Sequence, residues 1–231
     1  MTHIELCVED LPSVAIATDQ GVDGVELCAR LDVGGLTPDI QLLEQSLTLA
    51  PPTGVYAMLR VRGGDFVHSR DEVDQMVSIL NDRVNHFASY VSAGQLGFVV
   101  GVITDDGQIN VEACKALKDA AGDAPLTFHR AFDETRNYDE SLDTLMSLGF
   151  ARVLTTGGRD ATAQAPVLKH LASRAGNDLT IVASGGLRSH NVAAFLKVAH
   201  VRAVHMRASL LGGGTDQDEV ARIVTAVRNA S

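Results

Sequence analysis

The chain has 231 residues, 45% of them hydrophobic, and its 19 basic and 29 acidic side chains give a formal net charge of −10. This length and composition suit one large α/β domain or two small ones, and the acidic balance argues against binding to nucleic acid or an anionic membrane surface. Three cysteines are too few for a disulfide framework, so we expect a reduced, cytoplasmic setting. No signal peptide or membrane-spanning run is expected. The oligomeric state stays open, and a homo-oligomer is one alternative.

Short apolar runs separated by segments of helical periodicity extend along the whole chain. They predict eight strands, at residues 4–8, 24–29, 55–60, 97–102, 125–129, 151–155, 179–184 and 202–206. Between them, Thr37-Pro38 predicts an N-cap followed by the first residue of a helix. Ser69 with Glu72 predicts a capping box, and Asn110 predicts another helix start.

Eight strand–helix alternations in a chain of this length are typical of a (β/α)₈ barrel of the TIM type. A doubly wound parallel sheet is the alternative. No linker or change in composition separates a second domain, so the sequence predicts a single barrel domain over residues 1–231.

An internal repeat indicates which side chains face the barrel interior. Ile4-Glu5-Leu6-Cys7 recurs as Val25-Glu26-Leu27-Cys28 one strand–helix unit later. Because side chains alternate across a strand, the leucines face the helices while the glutamates and cysteines face inward. Buried carboxylates need counter-charges, for which Arg60, Arg62 and His129 are candidates.

Titratable residues at strand ends predict an acid–base site at the mouth of the barrel, as in barrel enzymes. Each candidate also has a structural alternative: His129 as a core histidine hydrogen-bonded to Glu5 or Glu26, Asp65 as a turn-forming residue, and Arg60 as a partner of the buried glutamates. The candidate catalytic residues are Glu5, Glu26, Arg60, Asp65, His129 and His205.

Glycine-rich turns after the late strands predict an anion site, since backbone amides in such turns hold phosphate in many barrels. The alternative is that they are ordinary short connections. The candidate anion-binding residues are Arg62, Thr156, Gly157, Gly158, Ser184, Gly185 and Gly186.

Cys7 and Cys28 occupy matching positions on neighbouring strands, where two inward thiols could bind a soft ion such as Cu(I). The alternative is that each cysteine packs as a small hydrophobic residue. No zinc-binding spacing and no motif for an organic cofactor is present.

Several segments together resemble the CutC family, which is named for copper homeostasis. They are Glu5-x-Cys7, Val25-Glu26-Leu27-Cys28, Gly34-Gly35-Leu36-Thr37-Pro38, Arg62-Gly63-Gly64-Asp65-Phe66, the stretch from Val100 to Asp106-Gly107, Thr127-Phe128-His129-Arg130-Ala131-Phe132-Asp133 and Arg152-Val153-Leu154-Thr155. The resemblance implies a cytoplasmic β/α barrel with a role in copper handling, and Cys7 and Cys28 match positions proposed for Cu(I). The chain departs from the family pattern at three places. Val61 stands where the family usually has a proline, Met206-Arg207 follow His205 where the family has small residues, and the loop before the last helix is shortened to about residues 210–216.

Two functions of different class follow. The protein binds or buffers copper through Cys7 and Cys28, or it is an enzyme acting on a small anionic or phosphorylated metabolite with the acid–base cluster. The sequence does not decide whether the chain is an enzyme. Its expected partner is accordingly a copper ion or a small anionic metabolite.

Overall fold

A computed structural model describes residues 1–230, which form a closed barrel of eight parallel strands in chain order. The predicted (β/α)₈ barrel is therefore confirmed, and because the last strand pairs with the first the open-sheet alternative is wrong. The predicted domain end at Ser231 lies outside the described residues. The strands are β1 (His3–Val8), β2 (Gly24–Leu27), β3 (Val55–Met58), β4 (Leu96–Val100), β5 (Leu126–Phe128), β6 (Arg152–Thr155), β7 (Thr180–Ala183) and β8 (Ala203–Met206).

Helices alternate with these strands along the chain, and two short 3₁₀ segments, Leu31–Val33 and Arg130–Glu134, follow β2 and β5. Within residues 1–230 no helix has the length and apolar character needed to cross a membrane. The α-helices are α1 (Leu11–Asp19), α2 (Ile40–Leu49), α3 (Arg70–His86), α4 (Ala88–Ser92), α5 (Val111–Ala121), α6 (Tyr138–Ser147), α7 (Ala165–Ala175), α8 (Val192–Ala199) and α9 (Gln217–Ala230).

Five strands, β2, β3, β4, β5 and β7, end earlier than the sequence predicts, and in two of them this moves a candidate catalytic residue into a loop. β3 ends at Met58 and β5 at Phe128, so Arg60 and His129 lie in the connecting segments. The backbone around Arg60 has other partners: its N–H donates to Thr37 Oγ1 at 2.9 Å, and its carbonyl accepts the Thr37 N–H at 3.0 Å. Thr37 thus fixes the backbone of Arg60 beyond the end of the strand.

The same contact explains a wrong helix start. The sequence predicts Thr37 as the cap and Pro38 as the first residue of α2, but the Thr37 hydroxyl donates to the Arg60 carbonyl, and the helix begins two residues later at Ile40 with Asp39 as its cap. The other two predicted starts are confirmed. Ser69 and Glu72 form a reciprocal capping box at α3, and the Asn110 side chain accepts the Ala113 N–H at α5.

The core has an outer layer between barrel and helices and smaller clusters inside the barrel. Leu6, Leu27 and Phe128 belong to the outer layer, as the alternation predicts. Apolar side chains also pack inside the barrel, in one cluster of Cys7, Cys28, Met58 and Val99 and another of Leu154, Val182 and Ala203. Glu5 and Glu26 are buried with their partners inside the barrel, so their predicted inward direction is confirmed.

Candidate functional site

Glu5 and His205 face each other across the first and last strands. They are register partners of β1 and β8, and His205 Nδ1 lies 2.8 Å from Glu5 Oε1. The second carboxylate oxygen of Glu5 accepts from Arg152 Nη2 at 2.6 Å. All three residues are buried. Burial opposes ionisation of Glu5, but the Arg152 charge and the His205 hydrogen bond outweigh it and lower its pKa to about 2.

Three potential metal ligands meet beside this pair: Cys7, two residues after Glu5 on β1, Glu26 on β2, and His205 itself. Cys7 is the register partner of Glu26, and one ligand atom from each of Cys7, Glu26 and His205 lies within 4.8 Å of the others. His205 Nε2 is 3.7 Å from Glu26 Oε2, and Cys28 Sγ is also 3.7 Å from that oxygen. Glu26 Oε1 is buried without a partner. We call Cys7, Cys28, Glu26 and His205 the thiol side of the site.

The protonation states of the four residues on the thiol side depend on one another. A hydrogen bond from Cys28 lowers the pKa of the Cys7 thiol well below its usual range, and the same bond raises the pKa of Cys28. Burial raises the pKa of Glu26. For His205, burial is outweighed by the neighbouring Glu26 and by hydrogen bonds to Cys7 and Glu5, so its pKa rises. These directions favour a thiolate at Cys7 beside an imidazolium at His205, with Glu26 and Cys28 protonated.

Arg60 is a buried cation without a carboxylate partner. Its side chain bonds only to carbonyl oxygens, through Nη2 to Gly64 at 2.6 Å and through Nη1 to Gly34 at 3.4 Å. Its Nε is buried and unpartnered, and in residues 1–230 no acid lies at ion-pair distance from it. The guanidinium carbon lies 4.7 Å from the centre of the Phe66 ring. The prediction that Arg60 counters the inward glutamates is wrong, because Arg152 takes that position.

His129 is also buried, and its backbone contacts fix where its ring proton lies. Nδ1 accepts the Ala131 N–H at 3.1 Å, so the proton of the neutral ring is on Nε2, which has no partner. Burial and the nearby Arg60 charge lower its pKa to about 3. The ring occupies the space beside Gly101, where a β-carbon would overlap Cε1 and Nδ1. We call Arg60, Phe66 and His129 the arginine side.

The two sides line one cavity of about 170 Å³ at the carboxyl end of the barrel, which we call the central pocket. Four of the six predicted catalytic residues line it, namely Glu26, Arg60, His129 and His205, and Glu5 lies directly behind His205. Its lining residues are Cys7, Glu26, Cys28, Leu31, Gly34, Met58, Arg60, Phe66, His129, Arg130, Leu154 and His205.

Asp65 and Arg62 do not join the central pocket. Asp65 is 71% exposed at its side chain and pairs with Arg62 at 2.9 Å, and Arg62 also donates to Glu72 at 2.6 Å. Asp65 instead lines a separate open groove beside Asp105 and Asp106. The Arg62 hydrogen bond lowers the pKa of Asp65. Both residues therefore organise the loop after β3.

The glycine-rich turns are partly engaged by Asp133. Its buried carboxylate accepts from the N–H and the hydroxyl of Thr156 and from the Thr155 hydroxyl, while the Gly157 N–H donates to Thr155 Oγ1. Ser184 is buried, and its N–H donates to the Thr155 carbonyl. No described hydrogen bond uses the N–H groups of Gly158, Gly185 or Gly186. The anion site at these turns stays a prediction.

Sequence reasoning missed Arg152, Gly101 and Phe66 as parts of the site. Arg152 has the same parity on β6 as the inward Leu154, so its inward direction could have been found. Gly101 directly follows β4, which is a position where a missing side chain makes room for a neighbour. Phe66 carries no comparable signal, because its place depends on the loop after β3.

The sequence of the chain matches a known protein family. The family model described as "CutC family" matches residues 2–210. The chain belongs to the CutC family. The match covers all eight strands and ends before α9. The resemblance seen in the sequence motifs is thereby confirmed.

Curated relatives in the CutC family support the same assignment. A family protein CutC of Pasteurella multocida is 37% identical over 204 residues, which cover 88% of this chain and 80% of the relative. The human relative, named copper homeostasis protein cutC homolog, is 34% identical over 209 residues, covering 89% of this chain and 72% of its own length.

Solved structures confirm the barrel. The CutC structure from Streptococcus agalactiae has a TM-score of 0.77 at 29% identity and covers 89% of this chain and 98% of its own. Phosphoribosylanthranilate isomerase from Pyrococcus furiosus has a TM-score of 0.61 at 15% identity, with 99% of this chain and 100% of its own covered. The second likeness shows the fold alone.

Proposed function

We propose that this CutC-family protein acts in copper homeostasis by binding Cu(I) on the thiol side of the central pocket. The observation that carries the proposal is the buried group of Cys7, Glu26 and His205, whose ligand atoms lie within 4.8 Å of one another. The human relative's name supports the copper role. Cys7 and Cys28 are the cysteines that the sequence singles out for this ion.

The donor chemistry fits Cu(I). Thiolate is the ligand that Cu(I) prefers among protein side chains, and His205 is a good second ligand once its imidazolium has released a proton to solvent as the ion binds. The hydrogen bond from Cys28 and the neighbouring His205 lower the pKa of Cys7, so a thiolate is available without a large cost of deprotonation. The neutral carboxyl of Glu26 is a poorer ligand for a soft ion. We therefore assign binding to Cys7 and His205, with Cys28 as the further thiol.

A reduced, cytoplasmic setting is part of the proposal. Cys7, Cys28 and Cys114 are all free thiols. Cu(I) binding requires free thiols, and the cytosol keeps them reduced.

The test is an anaerobic Cu(I) titration against a coloured competing chelator. Cys7→Ser, Cys28→Ser and His205→Asn should each weaken binding of one equivalent, whereas Cys114→Ser should leave it unchanged. Cys114 is the matched control because it is buried beside Val102, on the helical layer and away from the central pocket. Equal Cu(I) uptake by the Cys7→Ser/Cys28→Ser double variant would sink the proposal.

A second candidate function is an enzyme acting on a small anionic metabolite by acid–base catalysis. It is favoured by the order Cys7, His205, Glu5, in which a carboxylate orients an imidazole that faces a titratable thiol. Incubation of metal-free protein with small acids in D₂O, followed by NMR, tests it. Deuterium incorporation that His205→Asn abolishes and Cys114→Ser retains would support the enzyme, and its absence across the panel would count against it.

A further inference from the structure

We infer that the arginine side of the central pocket is a binding site for a small carboxylate. Arg60 would bind the carboxylate through its Nε edge, and the Nε2–H of His129 would donate to one of its oxygens. The inference rests on the arginine side alone and does not depend on copper. For the enzyme candidate it would name the substrate class.

The Arg60 guanidinium has no anionic partner within the described residues. Arg60 is only 3% exposed, yet the groups it contacts are two carbonyl oxygens and the face of Phe66. Burying a cation without an anion is costly, and a chain that needed only a structural cation would place an acid beside it. The nearest candidate, Asp65, is held outside by Arg62. Arg60 lines the cavity and its Nε–H has no partner within the chain, so an anion that enters the cavity would supply one.

His129 supplies a second free donor, its Nε2–H. Because Nδ1 accepts the Ala131 N–H, the ring presents a hydrogen-bond donor at Nε2, which is buried and unpartnered in the wall of the same cavity. Phe66 lies against both groups, with its ring centre 4.9 Å from that of His129 and 4.7 Å from the Arg60 guanidinium carbon. Phe66 thus holds a fixed cation and a fixed donor on one wall.

The volume and lining of the central pocket limit the size and shape of its ligand. A cavity of about 170 Å³ is below the 300–1,000 Å³ of ordinary ligand pockets, so the ligand has only a few heavy atoms. One guanidinium edge matches the two oxygens of a planar carboxylate. The rest of the lining includes Leu31, Met58 and Leu154, which suit a short apolar body. A phosphate needs more donors than this wall supplies.

The experiment is calorimetric and thermal-shift titration of metal-free protein with propionate, pyruvate and inorganic phosphate. We expect the two carboxylates to raise the melting temperature of the unmodified chain more than phosphate does. Arg60→Met should weaken carboxylate binding at least tenfold, and His129→Gln should weaken it less. The matched control is Arg70→Met, which removes an exposed arginine at the start of α3 that does not line the pocket, and it should leave carboxylate binding unchanged.

Each other result overturns the inference. No response to any carboxylate, a response to phosphate alone, or equal carboxylate binding by Arg60→Met would contradict it. If Arg60→Met fails to fold, Arg60→Lys keeps the charge and loses the two-donor edge, and unchanged binding by that variant is equally contradictory. Cu(I) titration of the same variants separates the two proposals, since Arg60→Met should retain Cu(I) uptake and Cys7→Ser should retain carboxylate binding.

Discussion

The two sides of the central pocket differ in how the chain satisfies their buried polar groups. Behind the thiol side, both oxygens of Glu5 are taken, one by His205 and one by Arg152. On the arginine side, Arg60 has carbonyl partners only, and the free nitrogen of His129 has none. The Glu5 carboxylate is therefore satisfied within the chain, whereas the arginine side leaves two buried donors for a ligand.

This difference separates a polar network that stabilises the barrel from polar groups that are available to bind a ligand. A buried carboxylate with two partners stabilises the fold only while both partners remain, because losing one leaves a charge without compensation. An unpartnered buried donor lowers stability already, so removing it costs the fold little and costs binding more. Substitutions on the two sides should therefore report on stability and on binding, respectively.

The largest expected effect is on the Glu5 network. Arg152→Met should lower the free energy of unfolding by about 3–5 kcal/mol, because it removes one of the two partners of the buried Glu5 carboxylate and leaves only His205. Chemical denaturation near neutral pH measures this. Glu5→Gln added to Arg152→Met should recover part of the loss, since the double variant has no uncompensated carboxylate.

The control for this prediction is Arg174→Met. Arg174 also pairs with carboxylates, those of Asp143 and Asp139, but its side chain is 39% exposed. An exposed pair is worth about 0–1 kcal/mol, so this variant should lose little stability. Equal losses in the two arginine variants would remove the distinction between the Glu5 network and an ordinary surface pair.

The sequence predicts the strand-borne half of the site well. Alternation along β1 and β2 is enough to place Glu5, Cys7 and Glu26 inside the barrel, and it also allows for Arg152 on β6. Strand side chains follow a two-residue period that survives any detail of the surrounding loops. The closed barrel follows from the same regularity.

The loop-borne half is not predictable in this way. Arg62 and Asp65 stand close to Arg60 in sequence, but they pair with each other at the surface while Arg60 turns inward. The Arg60 backbone is held by Thr37, which lies 23 residues away in the sequence, and the local sequence around Arg60 gives no sign of this contact. Likewise, the amides of Thr156 and Gly157 look free in the sequence, but Asp133 and Thr155 engage them.

A pH titration compares the two sides further. The folded-state pKa of His129 is about 3, below the ordinary value of 6.5, so the unfolded chain binds more protons between these values. Stability should therefore fall as pH falls below about 6.5, by up to roughly 1.4 kcal/mol per pH unit from this group. Glu5 adds a loss in the same direction only below about pH 4.5.

The measurement is the free energy of unfolding between pH 6.5 and 5, above the range in which Glu5 contributes. His129→Gln should flatten the dependence relative to the unmodified chain. His190 is exposed, and His190→Gln controls for removal of a histidine as such. An unchanged slope in His129→Gln would show that the imidazole is not held neutral in the folded protein.

The smallest expected effect is the change in the free energy of unfolding caused by Gly101→Ala. Whether this change is a loss or a gain shows if Gly101 makes room for the His129 ring. The backbone at Gly101 is not in the positive-φ region, so in open space an alanine would stabilise the chain by about 0.4–1 kcal/mol through the unfolded state. At this position the added β-carbon would overlap the His129 ring. Overpacking costs about 1–3 kcal/mol, and we expect the lower end because the ring can shift toward the cavity. Gly101→Ala should thus destabilise the unmodified chain and be neutral or stabilising in a His129→Ala background. Denaturation of the four members of this cycle measures the coupling.

The displaced ring should also weaken propionate binding by Gly101→Ala, although the substitution adds no charge and removes no donor. Destabilisation of equal size in both backgrounds would mean that Gly101 is needed for the backbone and not for the position of His129.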